Sequence, residues 1–262
     1  MRIIDAHNHI FPEKIATKAT ASIGHFYDLD MYADASSKSL LKAGAAINTE
    51  KYLVCSSAVT ADQVESINTF ISDECKKHPE FIGFAALHRD YENYEEELDR
   101  AMELGLVGVK FHNDFQKVNI DDEKCFPMYK AIAKRGLKVL FHMGDNRYDF
   151  TAPFRLVNVC KRVPELVVIG AHFGGYRRWD EVLSVPKFDN LYFDTSSSLA
   201  FIERDQALRM MDRFGVDRYF FGSDFPMWNA KDELERFLAL GLDKESRDKI
   251  LFGNFAKLFN IE

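Results

Sequence analysis

The chain has 262 residues, of which 47% are hydrophobic and 29% are charged, a balance typical of a globular protein with a large core. Its formal net charge of −7 at pH 7 disfavours nucleic-acid binding by phosphate attraction, because no cluster of lysine and arginine offsets the average. The sequence contains no run of about 18 apolar residues, so it predicts no membrane span. We also expect no secretory signal, because the N-terminal sequence lacks a long apolar stretch.

Short runs of β-branched and aromatic residues alternate with segments of helical periodicity. After the first, the strand starts lie roughly 25–30 residues apart, which is the period of a βα unit. Eight such units predict a (β/α)8 barrel, which typically takes about 250 residues. An open doubly wound sheet is disfavoured because no phosphate-loop signature follows the first strand. The predicted strands are Ile3–Ile10, Tyr52–Ser57, Phe81–Leu87, Val107–His112, Lys138–His142, Leu166–His172, Leu191–Thr195 and Arg218–Asp224.

The segments between later strands end at glycine or before proline, as helices often do. Several begin with acidic residues, which suit the positive end of a helix dipole. The predicted helices are Glu92–Leu104, Asp121–Arg135, Arg155–Val163, Glu203–Phe214, Ala230–Leu240 and Lys244–Phe252.

One interval, between the first two strands, is longer than the others. Its later part, Ser36–Ala46, has the spacing of the first barrel helix. Residues 12–35 are then an insertion over the mouth of the barrel, rich in aromatic and small residues. We expect this insertion to form one wall of the pocket, by itself or shared with a neighbouring subunit of a homodimer. The chain contains no repeat, low-complexity tract or linker, so we predict a single domain over residues 1–262.

The histidines of the chain concentrate at the ends of predicted strands. Five of the eight lie there, whereas the predicted helices are nearly free of histidine. Barrel enzymes keep their active sites at this C-terminal face. His7 and His9 end the first strand, His112 the fourth, His142 the fifth and His172 the sixth, and Asp224 ends the eighth.

The HxH pair has a direct structural meaning. Side chains alternate across a strand, so His7 and His9 face the same side and Asn8 faces the other. Two imidazoles with a carboxylate are ligands that zinc favours. An HxH pair alone is a weak signal, but its combination with histidines on strands five and six and an aspartate on strand eight strongly indicates a metal site.

The motifs of the chain together resemble a known family. The ordered series is similar to the amidohydrolase-related branch of the amidohydrolase superfamily, which includes aminocarboxymuconate semialdehyde decarboxylase and related hydrolases. The resemblance covers nearly the whole chain except residues 12–35. The motifs are DAHNHIF at Asp5–Phe11, GVKFH at Gly108–His112, FHMG at Phe141–Gly144, AHFGG at Ala171–Gly175, FGSDFP at Phe221–Pro226 and ILFGNFAKLF at Ile250–Phe259.

The resemblance implies a role for each motif residue. The residues that match metal ligands are His7, His9, His142 and Asp224, and the aspartate also matches a proton shuttle. His172 matches a histidine that hydrogen-bonds the reacting water in mononuclear members and binds a second metal in binuclear ones. Lys110 matches a lysine that is carboxylated to bridge two metals in some relatives but is usually unmodified in this branch. We therefore favour one divalent ion, with zinc as the expected metal.

Each of these residues also has a structural interpretation. The three predicted histidine ligands could be hydrogen-bonded core residues, and Asp224 could cap the next segment. Lys110 and His112 point inward together and either contact substrate or pack structurally. Arg177, after the sixth strand, either binds a substrate carboxylate or is a solvated loop charge. Trp228 either walls an apolar pocket or covers the core.

Three functions are compatible with the sequence. We favour a hydrolase in which metal-activated water attacks a small-molecule ester, amide or lactone, with His172 and Asp224 moving protons. The alternatives are a metal-dependent decarboxylase of a small unsaturated or aromatic acid, and a barrel that binds metal without turnover. The four cysteines are far apart and form no CxxC pair, so we expect reduced thiols and a cytoplasmic protein.

Overall fold

The computed structural model describes residues 1–262 and has the predicted (β/α)8 barrel architecture. Eight parallel strands form one sheet in the order β1 to β8, with helices in the connections. This order is the simplest outcome of right-handed βαβ units that follow one another along the chain. The strands are β1 (Ile4–His9), β2 (Lys51–Cys55), β3 (Phe81–Ala86), β4 (Gly108–Phe111), β5 (Lys138–Phe141), β6 (Val168–Gly170), β7 (Leu191–Asp194) and β8 (Tyr219–Phe220).

Twelve α-helices accompany the strands. None of them is long and apolar enough to cross a membrane. The helices are α1 (Glu13–Tyr27), α2 (Ser37–Ala45), α3 (Val64–Lys77), α4 (Tyr94–Glu103), α5 (Asn113–Gln116), α6 (Cys125–Lys134), α7 (Pro153–Arg162), α8 (Trp179–Val182), α9 (Arg204–Phe214), α10 (Ala230–Leu238), α11 (Lys244–Asp248) and α12 (Asn254–Phe259).

The Cα positions group into two compact units. The first consists of residues 1–55, 78–82 and 194–262, and the second of residues 56–77 and 83–193. Each has its own aromatic core.

In the first unit, the ring of Phe220 lies 5.5 Å from that of Phe255, and Phe221 lies 5.9 Å from Phe237. In the second unit, Tyr129 packs edge-on against Phe111 and Phe141 at 5.7 and 5.3 Å, and its hydroxyl donates to the carbonyl of Ile120. Each buried phenylalanine of this kind contributes about 1.5–3 kcal/mol through loss of its water-exposed surface.

Strand β1 pairs with the residues that follow β8, and this pairing positions the first unit's site. The amides of Ala6 and His9 donate to the carbonyls of Phe221 and Phe225, and the amide of Asp224 donates to the carbonyl of His7. Gly222 permits this close approach, because a Cβ there would lie 3.1 Å from the Cβ of His7.

A register shift between Asp5 and Asn8 interrupts the pairing of β1 with β2. The side-chain amide of Asn8 donates to the carbonyls of Asp5 and Leu53, which satisfies backbone acceptors at the irregularity. The bulged strand therefore carries its own polar support, as expected next to a functional site.

Several elements are shorter than the sequence predicts. Strand β8 contains two residues because residues 216–218 form a 3₁₀ turn before it. Strand β6 ends at Gly170 because the chain turns sharply at His172–Gly174. Helix α6 starts at Cys125 rather than at Asp121, whose carboxylate instead accepts a hydrogen bond from Arg155.

The first part of the insertion is a helix that the sequence did not indicate. Helix α1 buries Ala16, Thr20 and Gly24, which are small and lie on one face at a spacing of four residues. Small residues produce little hydrophobic periodicity, so the usual signal of a helix is weak here. Helix α2 begins one residue later than predicted, where the Ser36 hydroxyl caps it by accepting from the amide of Ser39.

Candidate metal centre

Three candidate metal-ligand atoms of the first unit lie close together at the end of β1. The Nε2 atoms of His7 and His9 are 3.2 Å apart. The Oδ1 atom of Asp224 lies 3.5 Å from the first and 3.3 Å from the second. The structure thus brings together three of the four predicted ligands within one unit.

These separations fit a single small divalent ion. Zinc bonds histidine nitrogen and carboxylate oxygen at about 2.0–2.2 Å, so neighbouring ligands of a tetrahedral site lie about 3.4 Å apart. Octahedral ligands with similar bond lengths lie about 3.0 Å apart. The observed values of 3.2 to 3.5 Å lie close to these two separations. The chemistry of the donors, two imidazoles and a carboxylate, also suits a borderline ion such as zinc.

The hydrogen bonds of His7 fix which ring nitrogen faces the other ligands. Its Nδ1 donates to Oδ2 of Asp194 at 2.9 Å, and both side chains are fully buried. Oδ1 of Asp194 accepts from the hydroxyl and the amide of Ser196, at 2.5 and 3.0 Å. With its proton on Nδ1, His7 presents a lone pair on Nε2, which is the arrangement that metal-ligating histidines adopt.

The Nδ1 atom of His9 has a thiol neighbour, whereas that of His7 has a carboxylate. Its Nδ1 lies 3.7 Å from Sγ of Cys55, whose thiol also contacts the carbonyl of Asn8 at 3.5 Å. The His9 side chain is 14% exposed, against 0% for His7. His9 is therefore the more exposed of the two histidines.

The two oxygens of Asp224 have different neighbours. Oδ1 faces the histidines, and Oδ2 accepts a 2.5 Å hydrogen bond from the hydroxyl of Ser197. The indole Nε1 of Trp228 in turn donates to Oγ of Ser197 at 2.8 Å.

A buried carboxyl supports this arrangement from the strand side. Asp5 accepts hydrogen bonds from the hydroxyl and amide of Ser223 at 2.6 and 2.9 Å. Burial raises the pKa of Asp5 to about 7, although the Ser223 hydrogen bonds favour the ionised form.

The second unit holds the remaining predicted histidines. Nε2 of His142 donates to the carbonyl of Gly144 at 3.1 Å, which leaves a lone pair on Nδ1. That Nδ1 lies 3.0 Å from Nε2 of His172. His142 thus has the tautomer of a metal ligand, and His172 lies directly beside the nitrogen that would bind.

A sharp turn presents His172 at the end of β6. His172 and Phe173 both have positive φ values, 61° and 54°. The carbonyl of His172 accepts from the indole of Trp179 at 3.0 Å. Positive φ is uncommon for such side chains and concentrates at functional sites. Ser197 and Asp224, at 50° and 58°, share this feature in the first unit.

His112 lies in a stack rather than among ligands. Its ring packs between Phe115 and His142, with centroids 3.6 and 4.0 Å away and nearly parallel planes. The lone pair of an imidazole nitrogen lies in the ring plane, so two stacked rings hold their lone pairs in separate parallel planes, and the group of His112, Asp114 and His142 is poorly shaped to bind one ion. Asp114 accepts from Thr151 at 2.7 Å, and burial raises the pKa of its carboxyl to about 7.

The predicted substrate residues occupy different environments in the second unit. Lys110 is fully buried in β4, and His112 is buried in its stack. Arg177 is exposed, with its guanidinium carbon 5.5 Å from the centre of the Tyr176 ring. The buried position of Lys110 is compatible with either of its predicted roles.

Sequence reasoning missed several residues that form hydrogen bonds with the predicted ligands. Asp194 is the last residue of β7, Ser196 and Ser197 follow it, and all three reach predicted ligands on β1 or after β8. A signal was available in the polar run DTSSS at residues 194–198, since such a run at the end of a buried strand indicates a site. Its partners lie more than 25 residues away in sequence, as with the 27 residues between Ser197 and Asp224, so the pairing itself was not predictable.

The family model named Amidohydrolase matches residues 4–261. The chain belongs to the amidohydrolase family. This confirms the resemblance that the motifs indicate, and it identifies the protein as a member of a family of metal-dependent enzymes. No curated protein matches the sequence at a significant level.

Solved structures with the same fold include both hydrolase and decarboxylase names. An uncharacterised TIM-barrel protein from Bordetella bronchiseptica has a TM-score of 0.81 and 21% identity, covering 100% of this chain and 99% of that one. A dihydroxybenzoic acid decarboxylase from a Polaromonas species, with bound manganese, has a TM-score of 0.76 and 16% identity, covering 99% and 97%. A protein assigned as a 2-pyrone-4,6-dicarboxylic acid hydrolase from Pseudomonas putida has a TM-score of 0.73 and 18% identity, covering 100% and 98%. At these identities the likeness establishes the fold.

Proposed function

We propose that this amidohydrolase-family protein is a hydrolase that uses one divalent ion, zinc in our assignment, to activate water against a small-molecule ester, amide or lactone. The observation that carries the proposal is the 3.2–3.5 Å spacing of His7 Nε2, His9 Nε2 and Asp224 Oδ1. We assign Nδ1 of His142 as the fourth ligand, because Gly144 holds the opposite nitrogen of that ring.

The ion and the protein's side chains would then have separate roles in the reaction. When bound, the ion supplies Lewis-acid chemistry, which polarises a carbonyl oxygen and makes water a stronger acid. His172 would take the proton of the attacking water, since its Nε2 lies 3.0 Å from the His142 nitrogen assigned as a ligand. The leaving group would receive that proton back from His172, or from Asp224 if the aspartate takes it in place of His172; general acid–base transfer of this kind typically contributes about 10²–10⁴-fold in rate.

We propose a small molecule as substrate. Lys110 and His112 would contribute to the floor of its site, and the exposed guanidinium of Arg177 would bind a substrate carboxylate with two hydrogen bonds. A net charge of −7 gives no general attraction for nucleic acid, so acidic groups of a substrate would need a local cation of this kind.

A second candidate is metal-dependent decarboxylation of a small unsaturated or aromatic acid. Two observations favour it: the decarboxylase name of the Polaromonas relative, and the exposure of Arg177, which could hold an acid. The same residues would serve it, with a proton delivered to carbon in place of a leaving group.

The test separates metal binding from chemistry. Protein stripped of metal is reloaded with Zn²⁺ or Mn²⁺, the bound ion is counted, and the protein is assayed on esters, amides, lactones and unsaturated or aromatic acids. We expect one ion per chain and hydrolysis of members of the first three groups. His172→Asn should keep the ion and lose activity by about 10²–10⁴-fold.

The matched control is His78→Asn, since His78 packs on Phe81 at the N-terminal start of β3, whereas the predicted ligands lie at C-terminal strand ends. Absence of a bound ion under metal-replete conditions would refute the centre. Release of CO2 from the acids without hydrolysis of any ester, amide or lactone would select the decarboxylase.

A further inference from the structure

The carboxylate of Asp224 is held asymmetrically by its surroundings. Oδ1 lies 3.3 Å from His9 Nε2 and 3.5 Å from His7 Nε2, whereas Oδ2 lies 2.5 Å from Oγ of Ser197. Asp224 and Ser197 are 6% and 2% exposed, so water does not compete freely for either group. A buried, charge-assisted hydrogen bond of this length is among the stronger ones in proteins.

The direction of the Ser197 hydroxyl follows from its second neighbour. The indole Nε1 of Trp228 is only a donor, so Oγ of Ser197 accepts at 2.8 Å from it. The single hydroxyl proton can then point to Oδ2 of Asp224 or to Sδ of Met227, which is 3.4 Å away. A carboxylate is the stronger acceptor, so the chain of donation runs from Trp228 through Ser197 to Asp224.

The backbone holds this chain in an uncommon conformation. Ser197 and Asp224 both have positive φ, which is uncommon for serine and less so for aspartate. Such conformations persist where surrounding contacts fix them. Trp228 is itself packed on the ring of Phe201 at 5.6 Å, so the donor at the start of the chain has a defined place.

We propose that Trp228 and Ser197 are positioning residues that make Asp224 a one-oxygen metal ligand. By occupying Oδ2, they prevent the carboxylate from binding an ion through both oxygens and so keep one coordination position open for a reactant. This inference rests on the proposed metal centre. It assigns no contact with substrate to either residue.

Metal spectroscopy tests the inference without any substrate. Co²⁺ replaces Zn²⁺ in the stripped protein, and its visible absorption reports coordination number, because the bands weaken as ligands are added. We expect Ser197→Ala to weaken the Co²⁺ bands, as Oδ2 joins Oδ1 on the ion, and to change metal affinity by about 10–100-fold, the usual effect of losing an outer partner. Trp228→Phe should shift the spectrum in the same direction by a smaller amount.

The double variant provides a further check, because the two hydrogen bonds from Trp228 to Ser197 and from Ser197 to Asp224, here called the relay, act in a defined order. Adding Trp228→Phe to Ser197→Ala should cause no further spectral change, whereas two independent structural effects would add. Ser198→Ala is the matched control: its buried hydroxyl donates to the carbonyl of Ser196 rather than to Asp224, so the spectrum should stay that of the wild type.

The outcomes separate the two proposals. A wild-type spectrum and affinity in folded Ser197→Ala would overturn the relay alone, and so would additive effects in the double variant. Wild-type protein that binds no Co²⁺ would overturn the metal centre and the relay together. Circular dichroism of each metal-free variant verifies that a changed spectrum comes from folded protein.

Discussion

Replacing Asp194 with asparagine should greatly weaken metal binding, although the two side chains have the same shape. Two Ser196 donors converge on Oδ1 of Asp194, and Nδ1 of His7 donates to Oδ2. In the variant, the amide oxygen would stay with the two serine donors, so its NH2 group would face His7. A donor there forces the His7 proton from Nδ1 to Nε2, and a protonated Nε2 cannot bind a metal.

The magnitude follows from the bond that is lost. A hydrogen bond to a charged group contributes about 1.5–3 kcal/mol, and each 1.4 kcal/mol is about a tenfold change in affinity. Loss of the bond between His7 and Asp194 alone therefore predicts a decrease in metal affinity of roughly 10–150-fold. That range agrees with the typical effect of about 10–100-fold for outer partners of metal ligands.

The assay is competition for Zn²⁺ with a chelating dye at pH 7.5. Asp205→Asn is the matched control, since Asp205 is 81% exposed and pairs only with Arg204 among the described ion pairs. The double variant Asp194→Asn/Ser196→Ala should recover part of the affinity, because one serine donor no longer holds the amide oxygen away from His7. Wild-type affinity in Asp194→Asn, or no recovery in the double variant, would refute this reasoning.

Two further predictions concern stability and packing. Burial raises the pKa of Glu233 to about 7, so the folded protein binds the carboxyl proton more tightly than the unfolded chain does. The contribution of Glu233 to the free energy of unfolding should therefore fall by about 3 kcal/mol as pH rises from about 4 to above 7. Urea unfolding should show that Glu233→Gln lacks this decrease, and equal pH profiles for the variant and the wild type would contradict the prediction. Gly222→Ala places a methyl group 3.1 Å from Cβ of His7 and 3.3 Å from Cβ of Ser196, so thermal melting should show a loss of about 1–3 kcal/mol and titration a weaker metal site. In Gly253→Ala the nearest atom would be 3.7 Å away, and both properties should be nearly unchanged.

The fold was predictable because its main signals are local. Each predicted strand overlaps a strand of the structure, as Ile3–Ile10 contains Ile4–His9 and Tyr52–Ser57 overlaps Lys51–Cys55. Parallel strands buried on both faces consist of continuous apolar runs, and glycines mark the ends of several helices. The histidines at strand ends then predicted the functional face, because one end of a barrel carries the site.

The support around the ligands depends on contacts that no local pattern encodes. Ser197 is typical of a turn by composition, and only the fold brings its hydroxyl to Asp224 and its oxygen to Trp228. The left-handed backbone at His172 is similarly not predictable, because most histidines have negative φ. Helix α1 escaped prediction because its buried face consists of small residues.

The insertion over residues 12–35 is anchored beside the proposed metal ligands within the first unit. The amides of Tyr32 and Ala33 donate to the carbonyl of Pro226 at 3.0 and 3.4 Å, two residues after Asp224. At its end, the amide of Ala35 donates to the hydroxyl of Thr20 on α1 at 3.0 Å. The returning segment is therefore held to the strand-eight loop, and α1 is held to that segment.

This arrangement predicts that the insertion controls substrate choice and leaves metal binding intact. Deleting residues 16–30 removes most of α1 but leaves the hydrogen bonds of Tyr32 and Ala33 to Pro226, so Asp224 should keep its place. The variant should bind one ion with wild-type affinity and accept a different set of esters, lactones and acids, because loops on this face of a barrel shape the pocket. The loss of stability should come from the buried residues Ala16, Thr20 and Gly24, because halving a loop changes its closure entropy by only about 0.6 kcal/mol. Metal content, melting temperature and the substrate panel are measured together. An unchanged substrate profile would show that the insertion is peripheral, and a loss of metal would show that it braces β1.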